Sequence, residues 1–200
     1  MSYLSSTSIT SAPAVEPVTA AEVKLFSKID FADDDALLTI LIKSARESVE
    51  KYIDKALITQ TIKAYYIGYG KRIWLPYGPH QSVTSVTRKR RAESDLLVAD
   101  TDYYVMGDTS KFLDMEPSSG ANPPGTSRNE SVSSEWNLEV VFIAGYGTDS
   151  TDVPQPIKEA ILKTVETNYD NRGNIVSGTI SSTLSNEAKV LLSMYRSPTI

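Results

Sequence analysis

Apolar residues recur at Leu37, Leu38, Leu41, Ile42, Ala45, Val49, Tyr52 and Ile53. Their spacing keeps them on one side of a helical wheel, so the segment predicts an amphipathic helix that must bury one stripe against another element. The opposite face carries Lys43, Arg46, Glu47, Glu50, Lys51 and Asp54 and is expected to meet water. Asp33, Asp34 and Asp35 stand at its start, where carboxylates suit the positive end of the helix dipole, and they read as capping residues. A shorter helix is predicted to begin at Ala20. Thr19 and Glu22 have capping-box spacing there, and Val18 and Val23 sit at the positions of a hydrophobic staple.

From Thr59 the period changes. Thr61 to Ile67 is rich in β-branched and aromatic residues, Gly68-Tyr69-Gly70 suits a turn, and Arg72 to Leu75 resumes the strand pattern, so a hairpin is expected. After the break at Pro76-Tyr77-Gly78-Pro79, Ser82 to Arg88 alternates like a half-buried strand. Shorter strands are predicted at Tyr103–Val105 and Lys111–Leu113, and a last one at Leu138–Ala144. Glu116 to Ser134, dominated by Pro, Ser, Gly and Asn, is expected to be an exposed loop. Helix returns after Gly145-Tyr146-Gly147, with Pro154 and Pro156 in a first turn that tolerates a missing amide hydrogen. Its apolar face is Ile157, Ala160, Ile161, Thr164, Val165, Asn168 and Tyr169, and Asn171-Arg172-Gly173 ends it. A small-residue linker from Gly173 to Ser182 leads to a final helix with Ala188, Leu191, Leu192 and Tyr195 as its stripe, stopped at Ser197-Pro198.

The order helices, strands, helices predicts an α+β fold: N- and C-terminal helices packed as a bundle, with a small antiparallel β lobe inserted between them. The expected limits are a flexible leader at 1–17, helical segments at 18–58 and 152–196, a β lobe at 59–147 with its long loop at 116–134, and a tail at 197–200. With 200 residues, 40% apolar and 22% charged, the chain can bury one good core with an appended lobe. A net charge of −5 argues against broad electrostatic binding of nucleic acid. The absence of cysteine removes disulfides, zinc-thiolate sites and thiol catalysis, and fits assembly in a reducing cytoplasm. Apolar runs are too short to span a bilayer, and the Ser/Thr-rich start has no signal-peptide pattern, so no membrane partner is expected.

Little in the chain resembles catalytic chemistry. Three adjacent carboxylates could hold a hard cation, but metal sites usually draw ligands from spaced positions, and capping accounts for them. His80 is the single histidine and lies in a proline-glycine turn, where an ordinary loop residue is the simpler reading. Gly145-Tyr146-Gly147 lacks both the third glycine of a dinucleotide fingerprint and the Lys-Ser/Thr of a triphosphate loop, which leaves a tight strand-to-helix turn. No cofactor or metal is expected, and the chain reads as a non-enzyme. Arg88-Lys89-Arg90-Arg91 is the one dense basic run, either a solvated hairpin end or a contact with a negative partner. Tyrosines 65, 66, 69, 103 and 104 read as half-buried packing rather than a binding surface.

Taken in order, several segments resemble the head-to-tail connector proteins of tailed bacteriophages, in a longer form with a β insertion. They are Glu16-Pro17-Val18-Thr19, Asp34-Asp35-Ala36-Leu37-Leu38 with Ala45-Arg46-Glu47, and Ala56-Leu57-Ile58-Thr59-Gln60-Thr61. Further on come Leu75-Pro76, Pro79 with Ser82 to Val86, Ala144-Gly145-Tyr146-Gly147 with Val153-Pro154, Ile157-Lys158 and Ala160-Ile161, then Tyr169 with Arg172, and Leu191-Leu192 with Tyr195-Arg196. The resemblance implies a structural virion protein of the neck, made and assembled in the host bacterial cytoplasm. Its copies would form a ring, typically of twelve, below the portal protein, extending the channel through which double-stranded DNA passes and offering a dock to a neck or tail-completion protein. It also implies portal contact through Tyr195, Arg196, Ser197, Pro198, Thr199 and Ile200. Arg88, Lys89, Arg90 and Arg91 are candidates for the DNA lumen or the tail contact. The alternatives are a neck stopper or tail-completion protein, a metal-dependent phage hydrolase acting through Asp33 to Asp35, and a glycan-binding module built on the tyrosine-rich lobe.

Overall fold

Residues 3–68, 72–90, 93–115, 137–171 and 184–196 are described by a computed structural model. Along the chain the elements are β1 (Tyr3–Ser11), α1 (Ala20–Ser27), α2 (Asp35–Ile53), β2 (Gln60–Ile67), β3 (Arg72–Trp74), β4 (His80–Arg90) and β5 (Glu93–Leu97). They continue with β6 (Tyr104–Met106), β7 (Phe112–Asp114), β8 (Asn137–Ala144), a 3-10 turn at Ser150–Asp152, α3 (Gln155–Asp170) and α4 (Asn186–Ser193). The fold is α+β, and the chain divides into two compact units: residues 1–12 with 59–145, and residues 13–58 with 146–200.

In the helical unit α2 and α4 pack on α3, and α1 packs on both α2 and α3. The α2 stripe Leu38, Ile42, Ala45, Val49 and Ile53 meets Ile157, Ala160, Ile161 and Val165 of α3 and Ala188 and Leu192 of α4 in one core. Each fully buried large aliphatic side chain in it contributes about 2 kcal/mol over an exposed one. Local signals set the helix starts. The Thr19 backbone N–H donates to Glu22 Oε2 at 2.6 Å and the Glu22 N–H to Thr19 Oγ1 at 3.2 Å, closing the capping box, while Val18 and Val23 are buried beside it. Pro154 caps α3 with Pro156 in its first turn, and Ser185 caps α4 by accepting from the Ala188 N–H at 3.1 Å.

In the β unit a five-stranded antiparallel sheet has the order β1-β2-β8-β4-β5. Alternation buries one face, where Ile62 and Ala64 of β2 stand opposite Phe142 and Val140 of β8, and Val86 of β4 flanks Val140. A second sheet, β3-β7-β6, is three residues wide at each strand.

Several expectations are corrected. Residues 3–11 of the expected flexible leader form β1, paired antiparallel with β2 from Tyr3↔Ile67 to Ser11↔Thr61. Thr7, Ile9 and Thr10 suit an extended backbone, and an edge strand needs no apolar face of its own. The expected hairpin between 61–67 and 72–75 does not form, because β1 and β8 occupy both edges of β2 and β3 pairs with β7 instead. Asp34 occupies the N-cap of α2 without a side-chain cap bond. Its Oδ2 accepts from the Tyr169 hydroxyl at 2.5 Å, and Asp35 pairs with Lys24. Arg46 and Glu50, expected in water, are buried. Tyr146 and Gly147, placed with the β lobe by sequence, belong to the helical unit. The loop at 116–134, the linker from Gly173 to Ser182 and the tail at 197–200 lie outside the described residues.

Candidate functional site

The most elaborate polar arrangement lies in the helical unit. Arg46 is 3% exposed, and its Nε donates to Glu16 Oε2 at 2.8 Å while Nη1 donates to Glu50 Oε2 at 2.6 Å. Glu50 Oε1 accepts the Leu57 N–H at 2.9 Å, and the Leu57 carbonyl accepts the Tyr146 N–H at 3.0 Å. Burial pushes the Glu50 carboxyl above its ordinary range, against the Leu57 bond and the Arg46 charge that favour ionisation. A second buried cation, Lys158 on α3, reaches Glu22 at 3.3 Å. Every charge here is satisfied from within, so the network is structural in form rather than an open catalytic pair.

Other motifs take structural places. His80 opens β4 instead of lying in a loop: Nδ1 accepts the Lys111 N–H at 3.1 Å, which leaves Nε2–H to donate to the Pro76 carbonyl at 2.8 Å, and the ring packs edge-on to Phe142. Gly147 is required sterically, since a Cβ there would lie 2.0 Å from Asp152 Oδ2, which accepts the Asp149 N–H. The Gly145-Tyr146-Gly147 segment bends away from β8 and bridges to Ile58 at Gly147, in place of the expected tight turn. Among the described residues no three or more of His, Cys, Asp and Glu gather where they could hold a metal ion. Tyr66 and Tyr103 are buried, Tyr65 and Tyr104 half-buried, and Tyr69 lies outside the described residues. Burial raises the Tyr66 hydroxyl well above the usual phenol range while it donates to the Trp74 carbonyl at 2.7 Å.

The basic run is split by strand alternation. Arg88 is 6% exposed and ion-paired with Asp95 of the neighbouring β5 at 2.6 Å. Lys89, on the other face, donates to Glu139 Oε2 at 2.7 Å and lies over the Tyr65 ring. Arg90 is the last residue of β4, and Arg91 lies outside the described residues. Among the C-terminal candidates, Tyr195 packs half-buried against the helical core just past α4, and Arg196 is exposed over the Tyr52 ring. Ser197, Pro198, Thr199 and Ile200 lie outside the described residues.

Three surface features carry no motif in the sequence. On the small sheet Trp74, Phe112 and Met106 stand in register on one face, with the Trp74 and Phe112 ring centroids 4.7 Å apart and the Arg72 guanidinium over Phe112. In the helical unit an open groove of about 370 Å³ is lined by Val15, Val18, Ala20, Thr39 and Ile42, with Glu16 and Asp149 also in its wall. On α4, Val190 (70% exposed) and Met194 (79%) face solvent. Their apolar character off the buried stripe was the signal available in the sequence.

Residues 18–104 match the family model described as phage gp6-like head-tail connector protein, in agreement with the resemblance read from the segments above. No curated protein matches the sequence. Among solved structures, a chain of the neck of an empty GTA particle computed with C6 symmetry is similar over 98% of this chain and 97% of its own, with a TM-score of 0.76 at 18% identity. A chain of the virion of a native gene transfer agent particle gives 0.75 at 16% identity over 98% and 97%. One from the neck of a native GTA particle computed with C12 symmetry gives 0.68 at 16% over 96% and 97%. At these identities the likeness is one of fold.

Proposed function

We propose that this chain, which resembles phage gp6-like head-tail connector proteins, is a structural subunit of a virion neck that joins a DNA-filled head to a tail. The observation that carries this reading is the shared fold along 98% of the chain with a neck protein of a GTA particle, supported by the family match over residues 18–104. Copies of the chain form a ring of twelve below the portal protein, as the C12 symmetry of one similar neck supports. A ring of one kind of chain needs two different surfaces that fit each other and close. The net charge of −5 suits a channel that DNA must traverse without being held, because phosphate contacts would retard its passage.

In this reading Tyr195 to Ile200 lead toward the portal. With Arg88 buried, contact with DNA or with a neck or tail-completion protein falls to Lys89, Arg90 and Arg91. The role is assembly rather than catalysis.

Native mass spectrometry of the chain alone and mixed with the portal ring from the same genome tests the proposal. A discrete multi-copy complex with the portal is the expected result. Binding to a tail or neck component without the portal would instead make the chain a stopper, and binding to neither would overturn the connector role.

A further inference from the structure

Within the helical unit the chain carries both halves of a contact that it does not make with itself. The groove between the α1 entry, α2 and the 3-10 turn is walled by Val15, Val18, Ala20, Thr39 and Ile42 and has a volume of about 370 Å³. On α4, Val190 and Met194 project into solvent one turn apart, although α4 already buries Ala188 and Leu192 in the core. Charge matches the shapes. Asp149 lies in the groove wall and Asp152 is exposed close by in sequence, while Glu16, also in the wall, is paired with Arg46; no Lys or Arg occurs from Tyr146 to Pro156. From Ala188 to the last residue the chain carries Lys189 and Arg196 and no acidic residue.

We propose that the outer face of α4, through Val190 and Met194, docks into the groove of a second copy of this chain against Val15, Ala20 and Thr39, with the buried Val18 and Ile42 at its floor. The inference rests on the connector reading and specifies which surfaces meet. Because the two halves are different patches, the contact is heterologous: each copy gives its α4 face to one neighbour and its groove to the other, which is what a closed ring requires and a two-fold dimer does not. Apolar contact supplies attraction in this arrangement, and Asp149 and Asp152 beside the groove with the basic end of α4 set orientation.

The cysteine-free chain permits a direct test. Thr39 and Met194 are both exposed, so T39C/M194C should fold, and each single variant serves as its control. The chains are mixed with the portal ring and bridged with a short bismaleimide. The expected result is a ladder of covalent multimers for T39C/M194C, a covalent dimer and nothing larger when T39C and M194C are mixed, and no bridged product from either alone. In addition, M194E should weaken assembly at least tenfold while leaving the circular dichroism spectrum unchanged. If native mass spectrometry shows the multi-copy complex but no ladder forms, or if Cys at position 39 bridges to the portal chain, this contact is wrong and the connector reading stands. If no multi-copy complex forms under any condition, both fall.

Discussion

Replacing Arg46 by Met tests whether the buried network holds the helical unit together. Methionine matches the length of the arginine stem and keeps its contacts with the core, so the loss is confined to the guanidinium. Two charge-assisted hydrogen bonds disappear, at 2.8 Å to Glu16 and 2.6 Å to Glu50. Glu16 is partly exposed and can turn to water, whereas Glu50 remains enclosed, accepting from the Leu57 N–H. Removing one partner of a buried pair typically costs about 3–5 kcal/mol, and with a urea dependence of about 2 kcal/mol per molar the midpoint should fall by about 1.5–2.5 M. The assay is urea unfolding followed by far-UV circular dichroism, repeated across pH. The sign of the pH effect follows from Glu50. Its folded value lies above its ordinary 4.5, so the folded state binds the proton more tightly, and stability falls as pH rises from 4.5 through the folded value. Without Arg46 that value rises further. The deficit of R46M should therefore be largest near neutrality and shrink on acidification, and R46M/E50Q should return to within about 2 kcal/mol of the parent, because Gln keeps an acceptor for Leu57. A cost under about 1 kcal/mol, or one independent of pH, would refute the reasoning.

In the β unit, H80F keeps a ring against Phe142 but strands the Lys111 N–H and the Pro76 carbonyl. It should cost about 2–4 kcal/mol and speed hydrogen exchange at the Lys111 amide; undiminished protection there would show that the histidine is not the acceptor that matters. For Glu139, burial alone would raise the carboxyl, but hydrogen bonds from Lys89 and Tyr65 and the charges of Lys89 and Lys63 outweigh it and hold the group below 4.5. Its stability contribution is therefore complete above 4.5 and lost as pH falls through the folded value, so E139Q should flatten the acid limb of the stability curve. An acid limb as steep in E139Q as in the parent would remove Glu139 from that account.

What could be read from the sequence depended on whether the signal was local. The capping box at Thr19 and Glu22, the stripes of α2 and α3, and the proline start of α3 are each set by residues within a few positions, and the structure has them all. β1 was missed because Ser and Thr on an edge strand leave no periodic apolar face, and its partner lies about fifty residues away in sequence. The false hairpin has the same origin: a turn-like Gly68-Tyr69-Gly70 is a local cue, while the claim of β8 on β2 is a long-range one. Arg46 and Glu50 were misplaced because their type predicts water and their helical phase lies on the margin of the stripe. Surface partners such as Val190, Met194 and the groove carry no periodic signal, since assembly acts on faces that the core does not use.

The burial of that network has a reason in chain topology. The chain passes between its two units three times, after Ala12, after Ile58 and after Gly145. On the helical side those passages begin or end beside Glu16, Leu57 and Tyr146. Arg46 binds Glu16 and Glu50, Glu50 binds the Leu57 N–H, Leu57 binds the Tyr146 N–H, and Ile58 bridges to Gly147. One helix face thus ties the helical ends of all three passages together. An apolar core could hold α2 against α3 equally well, but it could not direct three backbone segments, whose N–H and carbonyl groups need defined partners. Loss of Arg46 should therefore raise hydrogen exchange first at Leu57 and Tyr146, before the core amides of α2 and α3 respond. Uniform loss of protection across the helical unit would mean instead that the network contributes only bulk stability.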